Sequence, residues 1–176
     1  MGKSSTFRIT LTAVLAALVC AATAIFHIPS PIGGYLHLGD GLVLLSAFLL
    51  GPIWGALAAG LGSMLADLLA GYPMYAVGTL VVKALAALVA GAVYGRLKKG
   101  RAAMLISGLC GETVVVVGYL VFAAVVLGYG AGALAEVPGN LCQGAAGIAL
   151  SLALTPALVR NPWVREKLNG VSPTIE

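Results

Sequence analysis

The chain has 176 residues, 60% of them hydrophobic and only 9% charged, with a mean hydropathy of +1.04 and a formal net charge of +4. A soluble domain carries roughly 25% charged residues because its surface faces water, so a soluble globule is excluded and the surface must face lipid. No basic patch interleaved with aromatics supports nucleic-acid binding.

A bilayer core takes about 20 apolar residues per helix, and six spans follow from the pattern. The run Ile9 to Ile28 is long enough to cross and exceeds the roughly 7–15 residues of a signal-peptide core. Leu18-Val19-Cys20 lacks the small residue that a lipoprotein cleavage site needs, so residues 8–27 are read as a mature first helix. A Pro/Gly segment with Gly33 and Gly34 leads to Tyr35. The second helix starts near Asp40 and runs to Leu50, Gly51-Pro52 breaks the chain, and the third continues over 53–69. The run Leu42 to Leu69 fits either one broken helix or two short ones packed as a hairpin. Gly71-Tyr72-Pro73 signals a turn, and further helices are predicted over 75–97, 102–128 and 138–159. The expected fold is an all-α membrane protein, one integral domain over residues 1–176.

Basic residues concentrate in cytoplasmic segments. With both termini in the cytoplasm, six spans place Lys3, Arg8, Arg96, Lys98, Lys99, Arg101, Arg160, Arg165 and Lys167 inside, nine of the ten basic residues. Only Lys83 is left over. Five or seven spans would place one of these clusters outside.

Motifs for chemistry are absent from the sequence: no Gly-x-x-x-x-Gly-Lys-Ser/Thr loop for ATP, no His-Glu-x-x-His helix, no Gly-x-Ser-x-Gly elbow. An enzyme has no support, and no cofactor is implied. Cys20, Cys110 and Cys142 sit singly in apolar runs, as inert buried thiols do. No metal site is expected, including from His27 and His37, which flank the first loop.

An ionisable group within a span costs roughly 2.5–3.5 kcal/mol on insertion scales and is a functional candidate by default. The spans hold Asp67, Lys83 and Glu112, with Asp40 at the mouth of the second helix and Asn140 and Gln143 on one face of the sixth. On the six-span topology Asp67, Lys83, Asn140 and Gln143 lie toward the outer end, together with the two Gly/Tyr turns. They converge on an outward-facing cavity with Tyr35, His37, Tyr72, Tyr75 and Tyr119 nearby, suited to a small, flat, polar ligand. Structural readings compete with this one. Asp40 fits an N-cap, Asp67 and Lys83 fit an interhelical ion pair, and tyrosines near span ends fit interfacial anchors. Glu112, nearer the cytoplasmic half, is read as a protonated or internally bonded structural carboxyl.

The first helix carries Ala13, Ala17 and Ala21 at four-residue spacing. Such a stripe permits close helix contact, either within the bundle or with a partner.

Together these features resemble the S components of energy-coupling factor (ECF) transporters, in the group named for riboflavin but including members for other vitamins. The resemblance rests on Ala13/Ala17/Ala21, on Gly34 to Asp40, and on Leu49-Leu50-Gly51-Pro52 with Gly55. It continues through Ala66 to Tyr72, Lys83, and Asn140 to Gln143. It implies six helices and capture of a vitamin at the outer face. Assembly with a transmembrane coupling subunit and two ATPases then topples the S component in the membrane to release cargo inside. The alanine stripe would be the docking surface. The short, glycine-rich first loop departs from riboflavin binders and suggests a single ring of vitamin B6 or hydroxymethylpyrimidine size. The rivals are a stand-alone transporter or channel using Asp67, Lys83 and Glu112 as an ion relay, a membrane enzyme acting on lipids, and a scaffold subunit.

Overall fold

Apolar runs bounded by proline and glycine become helices in the computed structural model, which describes residues 3–29 and 35–169. In chain order these are α1 (Lys3–Ile25), a short antiparallel pair β1 (His27–Pro29) and β2 (Tyr35–His37), α2 (Asp40–Leu50), α3 (Pro52–Ala70), α4 (Pro73–Arg96), α5 (Arg101–Val121), α6 (Val137–Val159) and α7 (Pro162–Asn169). A π-helical turn over Phe122–Val126 and a 3-10 helix over Gly130–Glu136 join α5 to α6. In the β pair, His27 stands opposite His37 and Pro29 opposite Tyr35. Gly33 and Gly34, and with them the glycine-rich part of the first loop, lie outside the described residues.

Local chemistry sets the boundaries. Both α3 and α4 begin with proline in the first turn, where a missing N–H costs nothing. α3 ends on Gly71 in the left-handed region, φ 86°, whose N–H returns to the Asp67 carbonyl. Gly51, with φ 78°, separates α2 from α3, so the long run from Leu42 is two helices packed together.

α2 has 11 residues, about 16 Å of helix against a bilayer core of about 30 Å. Among the described residues five other helices are long and apolar enough to cross a membrane. Of the six expected spans, the second is thus a short buried helix rather than one long enough to cross. All of α2 except Leu42 is buried. It begins deep in the bundle because Asp40 meets Lys83, which lies ten residues into α4, about 15 Å from that end.

Two further differences have local causes. The expected helix over 102–128 loses its α geometry at Val121, and the π turn brings Phe122 to 6.0 Å from the Tyr75 ring, against Gly78. α7 follows the last apolar run and is capped by Asn161, whose Oδ1 accepts the N–H groups of Trp163 at 3.0 Å and Val164 at 3.4 Å. Its Leu168 is buried in the cluster of Leu15, Leu45, Leu49 and Leu50.

Small residues let the helices close. α1 turns Leu15 and Val19 inward and leaves Ala13, Ala17 and Ala21 exposed. A Cβ on Gly62 of α3 would lie 2.4 Å from the Ala16 carbonyl oxygen, so α1 and α3 touch backbone to backbone. Gly62→Leu should force them apart and cost about 1–3 kcal/mol, the usual range for overpacking, read as a lower melting temperature in detergent. Gly132→Ala, at a position with nothing within 4 Å, should leave melting unchanged.

Candidate functional site

The polar residues of the bundle meet around one ammonium group. Lys83, on the inner face of α4, donates to Asp40 Oδ1, and both side chains are 0% exposed. Gln143 of α6 donates through Nε2 to Asp40 Oδ2 at 2.7 Å, and its Oε1 accepts the His37 N–H of β2 at 2.9 Å. The Gly39 N–H donates in turn to His37 Nδ1 at 3.0 Å. Four distant segments, α2, α4, α6 and β2, are tied at this point.

Two aromatic arms extend from it. Tyr35 donates its hydroxyl to Asp67 Oδ1 at 2.5 Å, and its ring lies 4.7 Å from Tyr72 and 5.5 Å from His37. The Lys83 ammonium stands 5.3 Å from the Tyr119 ring centroid, the Tyr119 hydroxyl donates to Thr79 Oγ1 at 2.9 Å, and Thr79 in turn lies beside Asp67. Tyr75, one turn before Thr79, donates to Glu136 Oε1 at 3.0 Å.

This arrangement replaces two structural readings. Asp40 does not cap α2: the cap position is Gly39, there is no side-chain cap hydrogen bond, and Asp40 faces Lys83. Nor does Lys83 pair with Asp67. Asp67 takes the Tyr35 hydroxyl, while Asp40 gathers both the ammonium and the Gln143 amide. A fully buried charge needs the greater number of donors.

Asn140, one turn before Gln143, is buried and lines a groove of about 470 Å³ between α5 and α6. Glu112 lines the same groove, close enough to Asp40 and Lys83 to feel both charges. No conventional donor reaches either Glu112 oxygen among the described residues, and its carboxyl lies against that of Asp40, where a shared proton would bond it internally. Among the described residues no three His, Cys, Asp or Glu side chains cluster as metal ligands do.

Sequence reasoning missed Thr79 and Glu136. Thr79 had a signal, standing one turn before Lys83 on the same helical face. Glu136 had none, because it lies in the irregular connection outside the apolar runs.

Residues 3–160 match the family described as ECF-type riboflavin transporter, S component. The chain belongs to that family. It is accordingly a multi-pass membrane protein. A solved S component of a bacterial ECF transporter shares its fold, with a TM-score of 0.69 at 21% identity, over 89% of this chain and 97% of that one. An uncharacterized protein from the gap 3′ region of Pyrococcus woesei is 47% identical over 66 residues, 37% of this chain and 44% of that protein. The match thus spans under half the length of that curated relative.

In this S component the Asp40–Lys83 pair makes a sharp test. Lys83→Ala strands a buried carboxylate and should cost about 3–5 kcal/mol, the range for breaking a buried pair. The double variant Asp40→Asn/Lys83→Met should recover much of that loss. Equilibrium unfolding in mixed micelles measures both, and additive losses would show that the pair does not couple α2 to α4.

Proposed function

We propose that this S component captures a small water-soluble vitamin or precursor at the outer face, with a single ring of vitamin B6 or hydroxymethylpyrimidine size. It then delivers its cargo through an ECF module made of a transmembrane coupling subunit and two ATPases. The observation that carries the reading is the burial of Asp40, Lys83 and Gln143 beneath β2, ringed by Tyr35, His37, Tyr72 and Tyr119. Helix packing alone has no use for so many directed polar groups at that depth, and ionisable residues in a span mark substrate paths. Asp67, Tyr75 and Asn140 complete the set of groups proposed to hold or frame the ligand.

Six crossings with both termini cytoplasmic put the β-pair end outside and the basic residues of the other end inside. In that topology the β pair and α2 together make the second crossing, and the whole chain acts as one membrane domain. Family membership supports vitamin uptake, and the family's description favours riboflavin as the second reading of the cargo. The exposed stripe Ala13, Ala17 and Ala21 is proposed to meet the coupling subunit, since small side chains let a partner helix approach closely.

Calorimetry on the detergent-purified chain, across pyridoxine, hydroxymethylpyrimidine, thiamine, riboflavin, pantothenate and biotin, tests the central claim. One vitamin should bind tightly, and Asn140→Ala should weaken it about tenfold or more, the worth of one hydrogen bond at a buried site. No binding by a chain that melts cooperatively would turn attention to an ion-coupled secondary transporter, for which proton flux in liposomes is the assay. Docking is separable from binding. Ala17→Leu should abolish co-purification with the coupling subunit while leaving vitamin affinity within about twofold, because Ala17 faces away from the bundle.

A further inference from the structure

The groups around Lys83 are unbalanced. Its ammonium is committed to Asp40, and the Gln143 amide to Asp40 and the His37 N–H. Three carboxyl oxygens lack a close donor among the described residues, Asp67 Oδ2 and both oxygens of Glu112, with Thr79 beside Asp67 and the Asp40 carboxyl beside Glu112. Glu112 is only 6% exposed, yet it lines the groove of about 470 Å³ between α5 and α6. Opposite it stands Asn140, and Thr113 with a mostly apolar wall of Leu109, Val116, Leu141 and Ile148 completes a groove that opens at the bundle surface, where Leu109 and Leu141 are more than half exposed. Gly144 keeps the carboxylate clear: a Cβ there would lie 3.0 Å from Glu112 Oε2. A mostly apolar groove with a carboxyl at its base suits a flat ligand that brings its own donors. A buried carboxylate left unpartnered is costly, so a ligand that supplies the donors removes that cost.

We infer that the α5–α6 groove holds the ring of the cargo and that Glu112 accepts hydrogen bonds from it. The cargo is then a heteroaromatic with a ring-bound amino group or a protonated ring nitrogen. Two adjacent N–H donors on such a ring match the two carboxylate oxygens. Among the described residues no cation lines the groove, so an anionic cargo finds no partner there. Asn140, which both donates and accepts, reads the neighbouring ring position. The inference rests on the vitamin-uptake reading and narrows it.

The test uses the intact chain in detergent and calorimetry with a matched pair of probes. One is hydroxymethylpyrimidine with its ring amino group, the other its analogue with that group replaced by oxo. Pyridoxine, thiamine, riboflavin, pantothenate and biotin complete the panel. The tightest binder should carry a ring amino group or a protonatable ring nitrogen, and loss of that group should weaken binding about 100-fold or more. Glu112→Gln should weaken the tightest binder about 10–100-fold and shrink the difference between the amino and oxo forms. The ligand comparison on the unaltered chain stands even where the variant fails to fold. Tight binding of riboflavin, pantothenate or biotin, or indifference to the amino-to-oxo change by a chain that binds both, overturns the inference and leaves vitamin uptake standing. Binding of no vitamin by a folded chain overturns both.

Discussion

The ion pair between Asp40 and Lys83 is the constraint from which the rest of the bundle takes its register. Both groups are wholly buried, and in a bilayer neither can find water to replace a lost partner. A pair of this kind adds little net stability, because desolvation offsets most of the attraction. What it does is penalise every arrangement that separates the two charges. α2 must sit where its first residue reaches the middle of α4, and α6 must bring Gln143 to the second carboxylate oxygen. The glycines nearby follow from that demand. A Cβ on Gly147 would lie 2.8 Å from the Asp40 Cβ, and one on Gly41 would lie 2.5 Å from the Leu150 side chain. α2 and α6 meet at the polar centre only because neither carries a side chain at those positions.

Drawing α2 inward has a consequence for the backbone. The segment before it is extended, and within a membrane non-helical backbone is tolerated only where protein satisfies its polar groups. Here the satisfaction is explicit: the Gln143 amide takes the His37 N–H, and the His37 ring takes that of Gly39. The same residues that hold the charges therefore also hold the loop. Tyr35 adds an anchor to Asp67 on α3, so the β pair is tied to both α3 and α6. Any change at the centre reaches the loop through these bonds, and any displacement of the loop unbinds polar groups at the centre.

The long helices were legible because apolar runs of about 20 residues separated by Pro and Gly have one reading in lipid. α7 was not, since eight residues with an amphipathic pattern carry no membrane signal. The site was legible as an inventory. Charged groups are so few in this chain that Asp67, Lys83 and Glu112 stand out wherever they point. Their pairing was not legible, for a physical reason. Asp67 and Lys83 lie on successive helices and look like neighbours, whereas Asp40 sits 43 residues from Lys83 at a helix start, where an aspartate usually serves as a cap. Only tertiary packing shows that α2 lies against α4 and that Tyr35 has already taken Asp67. Periodicity ranks faces of one helix; it does not say which of two carboxylates a lysine will find.

α1 connects the two proposed activities without taking part in the polar network's bonds. Its outer face carries the exposed alanines, and its inner face ends in Thr23, which is 0% exposed with no hydrogen-bond partner for its hydroxyl among the described residues. That hydroxyl stands against Gly39: a Cβ on Gly39 would come within 2.0 Å of it and within 3.0 Å of His37 Nδ1. Gly39 is the residue that joins β2 to Asp40. A helix pressed on the alanine face bears, two residues beyond Ala21, on the turn that positions both the loop and the central carboxylate. Packed interiors of this density transmit displacement rather than absorb it. Surface and site are therefore mechanically adjacent through the Thr23–Gly39 contact, although the side chains that define them point in opposite directions.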